Sequence, residues 1–445
     1  MKFIADLHIH SHYSRATSKT LDPERLSIWA QKKGIALIGT GDFTHPGWVS
    51  ELNDKLMETR EGLYQLRPQL QKEVSSQVPP SCRGNIRFLL SGEISCIYKK
   101  GGRTRKLHHL ILMPSMSSVI RFNEKLNRIG NISSDGRPIL GLDSKDLLEI
   151  ALETDERAFF IPAHIWTPWF SLFGSKSGFD AIEECFEDLT SHIHALETGL
   201  SSDPPMNRCL SALDRYVLVS NSDAHSPGKL GREANIFDTD LDYEHVIRAM
   251  TDGKGFGGTI EFFPEEGKYH LDGHRKCKIR LEPQETIELE GLCPVCRRPL
   301  TVGVLNRVRQ LSDRDSPQLS KDFVSLIPLP EVLSELLGCG PGTKKVTGFY
   351  ERLLSQIGPE LEILMNTPLT RLKQAGGPVV AEAVGRMRRK QVIREGGYDG
   401  QFGVMHLFEN SEREAVAGQM ALFAHQDPKP TKKGNAPSSK KRAPR

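Results

Sequence analysis

The chain lacks the features that would tie it to a membrane or to an oxidising compartment. It has no apolar stretch near the roughly twenty residues that a membrane-spanning helix needs, and its N-terminus leads directly into an apolar segment typical of a strand, not of a signal peptide. Cysteine is sparse, with eight in 445 residues. Five of these have no regular spacing, and they are Cys82, Cys96, Cys185, Cys209 and Cys339. We therefore predict a cytoplasmic protein without a disulfide framework and without membrane attachment.

The chain also lacks a strong net charge, which is +3 in total. Residues 425–445 hold seven basic residues and one acidic residue, so residues 1–424 contribute −3 of that total. A globally basic, polyanion-coating protein is therefore excluded, and any nucleic-acid surface must be local. The Pro, Ser, Lys and Gly composition predicts that the tail is disordered and attracted to polyanions in a salt-sensitive way.

Helix signals recur between the apolar segments of the first 260 residues. Asp22 and Pro23 predict a helix start and Gly34 predicts its end. Asp143 opens a second helix in the same way. Further helices are predicted over residues 181–193, 206–213 and 243–250. About seven apolar segments alternating with helices predict an α/β fold with a parallel sheet or a barrel.

Histidines and carboxylates recur at the ends of these apolar segments. They are His8, His10, Asp42, Glu93, His108, His109, His164, Glu197, Asp223 and His225. Imidazole and carboxylate are ligands that suit Zn²⁺, Mn²⁺ and Fe²⁺. In a parallel barrel the C-terminal ends of the strands converge on one face. The pattern therefore predicts a polynuclear metal site and hydrolytic chemistry.

Some of these histidines have competing interpretations. His108 and His109 are neighbours on one predicted strand, and alternation sends one of them away from the site. His12, His192 and His194 are interpreted as ordinary core or surface histidines. His45 is interpreted in the same way, with a secondary role as a fallback for Asp42.

The series Asp6-x-His8-x-His10, Asp42, Glu93, His109, His164 and Asp223-x-His225 resembles the motifs of the PHP (polymerase and histidinol phosphatase) superfamily. The resemblance implies a distorted (β/α)7 barrel that holds a trinuclear metal cluster and hydrolyses phosphoesters. The implied metal ligands are His8, His10, Asp42, Glu93, His109, His164, Glu197, Asp223 and His225. The implied catalytic residues are His8, His10, Asp223 and His225. The chain departs from the family pattern at Asp42-Phe43, where Asp-His is frequent, and at Ser14 to Ala16, where a further histidine has no match.

A second ligand set begins at Gly273. His274-x2-Cys277 is followed, after fifteen residues, by Cys293-x2-Cys296. Three thiolates and one imidazole form the closed set typical of a structural Zn²⁺ site. His270 is the alternative imidazole, although its spacing does not suit a zinc knuckle.

Two features beyond this finger suggest DNA binding. The segment 336–346 resembles the hairpin of a helix-hairpin-helix, in which Gly340 and Gly342 let backbone N–H groups approach a phosphate and Lys344 and Lys345 add charge. A plain Gly-rich turn is the alternative interpretation.

The second feature is a basic cluster beside a Gly-rich aromatic loop. Arg388 and Arg389 precede Tyr398 in this segment, which suits a backbone clamp with a stacking surface. A solvated helix face followed by a tight turn is the alternative interpretation.

The segment Gln419-Met420-Ala421-Leu422-Phe423 resembles the pentapeptide that binds the bacterial sliding clamp. Gln419, Leu422 and Phe423 are the implied anchors. The alternative interpretation is a final helix over residues 413–423 that folds back onto the protein itself.

Taken together, residues 1–424 resemble endonuclease Q. We predict a PHP metallohydrolase domain over 1–260, a zinc finger over 261–310, a mainly helical DNA-binding domain over 311–424 and a basic tail over 425–445. The resemblance implies cleavage of DNA on the 5′ side of deaminated bases (uracil, hypoxanthine, xanthine) and abasic sites.

The same resemblance implies Zn²⁺ in the finger and in the cluster, with Mg²⁺ or Mn²⁺ needed for activity. The implied partner is damaged double- or single-stranded DNA, and a monomer located with the bacterial nucleoid is expected. The competing hypotheses are a phosphatase of small phosphoesters and a non-catalytic DNA-binding protein with a structural PHP domain.

Overall fold

The computed structural model describes residues 1–59 and 62–425, except the side chains of residues 414, 417, 419 and 421–425. The strands of this part are β1 Lys2–Asp6, β2 Leu37–Gly39, β3 Leu56–Glu58, β4 Tyr64–Leu66, β5 Arg87–Lys100, β6 Arg103–Met113, β7 Ile139–Leu140, β8 Phe159–Pro162, β9 Ala195–Glu197, β10 Val217–Val219, β11 Ala234–Asp238, β12 Phe256–Glu261, β13 Asp272–His274, β14 Ile279–Leu281, β15 Asp322–Ser325, β16 Ile393–Glu395 and β17 Val404–His406.

The helices of the same residues are α1 Pro23–Lys33, α2 Pro46–Lys55, α3 Pro68–Ser76, α4 Met116–Asn127, α5 Ser144–Thr154, α6 Ile182–Phe186, α7 Pro204–Asn207, α8 Tyr243–Asp252, α9 Pro283–Glu288, α10 Val304–Leu311, α11 Leu329–Leu337, α12 Lys344–Gln356, α13 Glu360–Met365, α14 Leu369–Gly376, α15 Pro378–Arg388 and α16 Asn410–His425. Within these residues no helix has the length and apolar character needed to cross a membrane.

The predicted helix boundaries hold where capping signals were present. Asp22 caps α1 by accepting the Arg25 N–H, and Gly34 ends the helix in the left-handed conformation at φ 88°. Asp143 caps α5 in the same way. The prediction for residues 181–193 was partly wrong, because Glu187 takes φ 52° and ends α6, after which the chain continues as a 3-10 helix.

The prediction for residues 206–213 was also partly wrong. It is met only by the short helix α7 and a 3-10 turn over Ser211–Leu213.

Seven strands of the first 220 residues belong to two sheets, a large one and the two-stranded pair β9–β10. Strands β1, β2 and β5 pair in parallel, β6 pairs antiparallel with both β5 and β8, and β9 pairs in parallel with β10. An isolated bridge between Ile9 and Ala224 joins the ends of β1 and β10. The large sheet is therefore mixed: the predicted parallel pairing is found among β1, β2 and β5, whereas β6 returns from β5 as an antiparallel hairpin.

The large sheet continues on the other side of β1, away from β2. There β11 pairs antiparallel with β1, and β12 pairs antiparallel with β11. Strand β15 joins β12 in parallel, although it lies in the range predicted for the C-terminal domain.

Alternation along β1 separates the core from the polar site. Phe3, Ala5 and Leu7 pack into an apolar cluster with helix α8. His8 and His10 follow at the positions of opposite parity and are fully buried as well. Period-2 geometry thus places both imidazoles on the face opposite that core.

The C-terminal helices are attached to α1 of the α/β part through a buried ion pair. Lys33 Nζ of α1 lies 2.7 Å from Glu360 Oε2 of α13, and the two side chains are 1% and 2% exposed. Glu360 also accepts the Leu329 N–H and the Tyr350 hydroxyl, at 3.0 and 2.9 Å. One carboxylate therefore holds α1, α11 and α12 together.

Candidate metal centre and its cleft

Two groups of potential ligands meet at one site. In the first, one ligand atom from each of His8, His10, Glu93 and Asp223 lies within 4.8 Å of the others. In the second, Glu93, His108 and His164 satisfy the same distance. Because Glu93 belongs to both groups, the site has the arrangement expected of more than one cation sharing a carboxylate.

The backbone adopts rare conformations where the strands reach this site. Asp42, His164 and Asp223 have φ values of 48°, 31° and 47°, in the left-handed region. Such conformations cost of order 1–3 kcal/mol and persist where the surrounding structure fixes them. Glu93 differs, because β5 is longer than the sequence suggested and carries Glu93 in its interior.

A buried nitrogen indicates that a cation fits the first group. His8 Nε2 is buried and has no hydrogen-bond partner among the described residues. It faces Glu93 Oε2 at 3.5 Å and Asp223 Oδ1 at 3.9 Å. Leaving such a group without a partner costs about 1–3 kcal/mol. A divalent cation bound between imidazole and carboxylates would satisfy it, and the donor set is one that zinc and manganese accept.

Two predicted ligands stand behind the histidines instead of beside them. Glu197 lies 3.0 Å from His8 Nδ1, and Asp42 lies 3.0 Å from His10 Nδ1. Glu197 also accepts the His164 N–H at 2.9 Å. These contacts use the oxygens that a metal would need, and both residues lie outside the two ligand groups. The assignment of Asp42 and Glu197 as direct ligands stays a prediction. A carboxylate on Nδ1 fixes the tautomer and leaves Nε2 free for a metal.

The choice between His108 and His109 is resolved by the alternation of β6. His108 Nδ1 lies 2.6 Å from Glu93 Oε1. His109 points to the other face, where its Nε2 lies 2.7 Å from the Ser144 hydroxyl and its ring packs against Phe160. Burial lowers the pKa of His109 to about 3. The assignment of His109 as the ligand was therefore wrong, and His108 takes that place.

His225 remains a predicted ligand outside both groups. Its ring centroid lies 4.5 Å from that of His10, and its Nδ1 lies 2.8 Å from the Asp223 carbonyl. Burial lowers its pKa, which favours the neutral imidazole that a metal requires. His45 lies away from the groups, with its Nε2 on the Ser133 carbonyl.

Arg137 is a site residue that the sequence did not reveal. Its Nη1 lies 2.9 Å from Glu93 Oε2, and it lines the cleft above the cluster. The loop before it lies tightly against the site, because a Cβ on Gly136 would stand 2.3 Å from Asp42 Oδ2. No local pattern distinguishes this arginine from surface arginines, so only the fold identifies it.

The electrostatics of the cluster favour bound positive charge. Although burial opposes ionisation, His108 and Arg137 hold the pKa of the Glu93 carboxyl well below its usual value. Burial is likewise overcome at His8, where Glu197 and Glu93 raise the imidazole pKa well above normal. The hydrogen bond from His10 has the same effect on Asp223, whose pKa is lowered against the cost of burial.

A cavity of about 1070 Å³ opens above the cluster. Its lining includes His108, His164 and Asp223 of the two ligand groups, together with His225. The aromatic lining residues are Trp169, Phe170, Phe262, Tyr269 and Phe402, and the basic ones are Arg137, Lys229, Arg232 and Lys268. The cleft thus combines flat apolar surfaces with positive charge above a carboxylate-rich floor.

The finger residues also converge. One ligand atom from each of His274, Cys277, Cys293 and Cys296 lies within 4.8 Å of the others, and His274 Nδ1 lies 3.5 Å from Cys296 Sγ. The hairpin β13–β14 carries the first pair, while the second pair follows α9. His270 stands outside this group, as the spacing suggested.

The residues predicted to bind DNA differ in their surroundings. Gly340 and Gly342 lie in an exposed loop between α11 and α12, where an added Cβ would meet no atom within 4 Å. Lys344 and Lys345 are exposed on the first turn of α12. Arg388 instead donates to the carbonyls of residues 363 and 364 at 2.9 and 2.8 Å. The guanidinium thus binds the carbonyls at the end of α13, and its role as a DNA contact stays a prediction.

The other two predicted DNA contacts lie nearer the surface. Arg389 is exposed and lies 3.2 Å from Glu382. Tyr398 is half-buried and packs against Gly273 of the finger.

The proposed clamp-binding residues fall within α16, whose backbone is helical to His425. The side chains of Gln419, Leu422 and Phe423 lie outside the described part of the structure, as do residues 426–445 of the predicted tail. The clamp prediction and its docked-helix alternative therefore both stay predictions.

Comparison with known proteins gives relatives for most of the chain. Residues 328–391 match the family described as the MJ0043 C-terminal domain. The uncharacterised protein MJ0043 of Methanocaldococcus jannaschii is 33% identical over 54% of this chain, which covers only 31% of that protein. The uncharacterised protein YqxK of Bacillus subtilis is 30% identical over 90% of this chain and 98% of its own length.

Two solved structures share the fold over almost the whole chain. The lesion-specific endonuclease PfuEndoQ of Pyrococcus furiosus has a TM-score of 0.79 and 30% identity, covering 93% of this chain and 99% of its own. Endonuclease Q in complex with a 27-mer duplex substrate, with an abasic lesion at its active site, has a TM-score of 0.78 and 32% identity. That alignment covers 92% of this chain and 97% of the solved one.

Proposed function

Because the chain belongs to the endonuclease Q family, we propose that it is a DNA repair endonuclease that cuts a phosphodiester in the cleft above the histidine–carboxylate cluster. The observation that carries the proposal is the placement of that cluster at the floor of a large cavity with aromatic and basic walls. A small-molecule phosphatase would need neither the finger nor the helical C-terminal region.

The donor groups fit divalent cations. His8, His10, Glu93 and Asp223 would hold one, and Glu93, His108 and His164 would hold a second, with His225 as an additional ligand. When bound, such cations act as Lewis acids towards a phosphodiester. We propose zinc in the cluster, with Mg²⁺ or Mn²⁺ supporting activity.

The surrounding protein groups keep the site ready for substrate. Glu197 and Asp42 hold the imidazoles of His8 and His10 in one tautomer and one orientation. Arg137 faces the cleft beside Glu93 and supplies a fixed positive charge close to where a scissile phosphate would lie. Both contributions are in place before DNA arrives, so no reorganisation is required at that moment.

The cleft suits a nucleotide taken out of the duplex. Trp169, Phe170 and Tyr269 offer surfaces on which a base can stack. A damaged or poorly paired nucleotide costs less to extrude than a normal one, which supplies part of the selectivity. We propose deaminated bases and abasic sites as the lesions, with cleavage on their 5′ side that leaves 3′-hydroxyl and 5′-phosphate ends.

We propose that the hairpin formed by α11, α12 and the loop between them binds undamaged DNA beside the lesion. Its loop exposes backbone N–H groups at Gly340 and Gly342 next to Lys344 and Lys345, an arrangement that suits contact with one phosphate. Because such contacts carry no sequence information, they would position the duplex without selecting it.

The decisive experiment uses metal-loaded protein and duplex oligonucleotides that each contain one uracil, hypoxanthine or abasic site, with an undamaged duplex and p-nitrophenyl phosphate as controls. We expect one cut 5′ of each lesion and none in the undamaged duplex. Hydrolysis of p-nitrophenyl phosphate alone would support the phosphatase hypothesis. Binding of damaged DNA without cleavage at any metal concentration would support the non-catalytic one.

We also propose that α16 carries a contact for the bacterial sliding clamp, and that the protein acts as a monomer in the cytoplasm with the nucleoid. Replacing Leu422 and Phe423 with alanine should abolish binding to the β-clamp while the melting temperature stays constant. A lower melting temperature would favour the helix that docks on the protein itself.

A further inference from the structure

Phe402 is an exposed phenylalanine placed between two cavities. Its side chain is 66% exposed. It lines the large cleft above the metal centre and also a second cavity of about 470 Å³, which lies between the finger and the Gly-rich loop. A large apolar ring in this position contributes little to the core, so its exposure calls for a partner that covers it.

The loop that carries Phe402 is held firmly in place. Tyr398 and Gln401 exchange backbone hydrogen bonds of 3.0 and 2.8 Å, and Gly400 donates to the Lys268 carbonyl at 2.9 Å. A Cβ on Gly397 would stand 2.4 Å from one carbonyl oxygen, and a Cβ on Gly403 would stand 2.1 Å from another. The ring is therefore presented by a fixed backbone, with little entropy to lose when it is covered.

Positive charge surrounds this ring. Lys268 Nζ lies 4.5 Å from the ring centroid on the side of the cleft. Arg275 and Arg280 of the finger line the second cavity on the other side. The exposed cations of the finger include Arg275, Lys276, Lys278, Arg280, Arg297 and Arg298, and none of these six forms an ion pair with a residue in the described part of the chain. The surface beside Phe402 thus suits a polyanion with flat apolar faces.

We infer that Phe402 is the wedge that enters the base stack of duplex DNA when the damaged nucleotide moves into the cleft, with the basic edge of the finger holding phosphates on the far side. This inference rests on the proposed function. Apolar side chains inserted between base steps fill the gap and stabilise the kinked duplex. A wedge must stand at the mouth of the cavity that receives the nucleotide, and Phe402 borders that cavity.

The test compares two substrates that differ only in the need for extrusion. Uracil is placed in a fully paired duplex and in the same strand without its complement. Phe402→Ala should lower the ratio of the duplex rate to the single-strand rate by about 10- to 100-fold. Phe402→Leu should restore part of the ratio, because leucine also serves as a wedge. Ile287→Ala is the matched control, since Ile287 is 65% exposed on α9 of the finger, and it should leave the ratio unchanged.

A binding measurement removes the dependence on cleavage. In the Asp223→Asn background, a 2-aminopurine next to the uracil should become more fluorescent on binding, and Phe402→Ala should abolish that increase. Arg275→Ala combined with Arg280→Ala should reduce the slope of log affinity against log salt by about two.

The outcomes distinguish the wedge role of Phe402 from the proposed endonuclease function. An equal loss on both substrates, or an unchanged ratio together with an unchanged fluorescence increase, would overturn the wedge. If the unaltered protein cuts neither substrate, the proposed function fails. The fluorescence experiment then decides about Phe402 alone.

Discussion

The cleft cluster and the finger both gather four ligand groups within the same distance, yet they are built for different tasks. His8 and His10 are fully buried, a carboxylate stands behind each of them, and a cavity opens above. The finger has three thiols and one imidazole, of which Cys296 is exposed, Cys277 is half-buried and Cys293 is buried. Convergence alone therefore does not identify a reactive centre. The supporting carboxylates and the open side do, because a structural zinc site is closed and a catalytic site keeps a position free.

The largest effect that would sharpen this contrast is expected at Asp223. Asp223→Asn removes the charge that a cation needs and keeps the shape, and asparagine tolerates the left-handed backbone found there. Cleavage of a uracil-containing strand should fall about a thousandfold with a melting temperature close to the original. Near-normal activity would remove Asp223 from the centre.

The next effect separates two adjacent histidines. His108→Ala should lower cleavage about a hundredfold and reduce the metal content, because His108 contacts the shared carboxylate Glu93. His109→Ala should instead lower the melting temperature by a few degrees, since it leaves a cavity beside Phe160 and Phe186. Activity per folded molecule would stay normal. The reverse outcome would restore the assignment made from the sequence.

A smaller effect is expected for the carboxylates that contact Nδ1 of His8 and of His10. Glu197→Gln keeps the size of the side chain but weakens the hold on His8 Nδ1. Metal affinity should fall by about 10- to 100-fold, and excess metal should restore cleavage. Asp42→Asn is the matched variant behind His10 and should behave alike. Loss of activity that no metal concentration repairs would mean that these carboxylates bind the cation directly.

The smallest effect on chemistry is expected in the finger. Cys293→Ser should release one zinc ion per chain and make residues 270–300 more sensitive to protease, because closed sites contribute folding energy. The affinity for damaged duplex should fall several-fold. The cleavage rate at a saturating concentration of single-stranded substrate should fall less than it does in a variant that loses metal from the cleft. Unchanged zinc content by metal analysis would contradict the assignment.

These two sites also differ in how far the sequence could predict them. The finger depends on the spacing of four residues, and His274, Cys277, Cys293 and Cys296 do come together. The ligand groups of the cleft depend on which side of a strand each residue faces. The length of β5 and the hairpin that joins it to β6 determine which residues of these two strands face the site. Sequence order identified Glu93 but could not say that His108 and not His109 would meet it.

The supporting groups were harder still to predict. Arg137 lies in a loop with no motif, and Asp42 and Glu197 have the same chemistry as a true ligand. Their roles become visible only in the hydrogen bonds they make, which no local pattern records. The helices with clear capping residues, α1 and α5, were predicted well because capping is a local interaction.

The buried pair of Lys33 and Glu360 fixes the C-terminal helices relative to α1. Separating these side chains would leave an unpaired charge in the interior, at a cost of about 3–5 kcal/mol. The two helices of the hairpin are tied to the same carboxylate through Leu329 and Tyr350. The loop between α11 and α12 is therefore anchored to α1 through a single buried carboxylate. A duplex bound by that loop would meet the cleft in one orientation, whatever the sequence around the lesion.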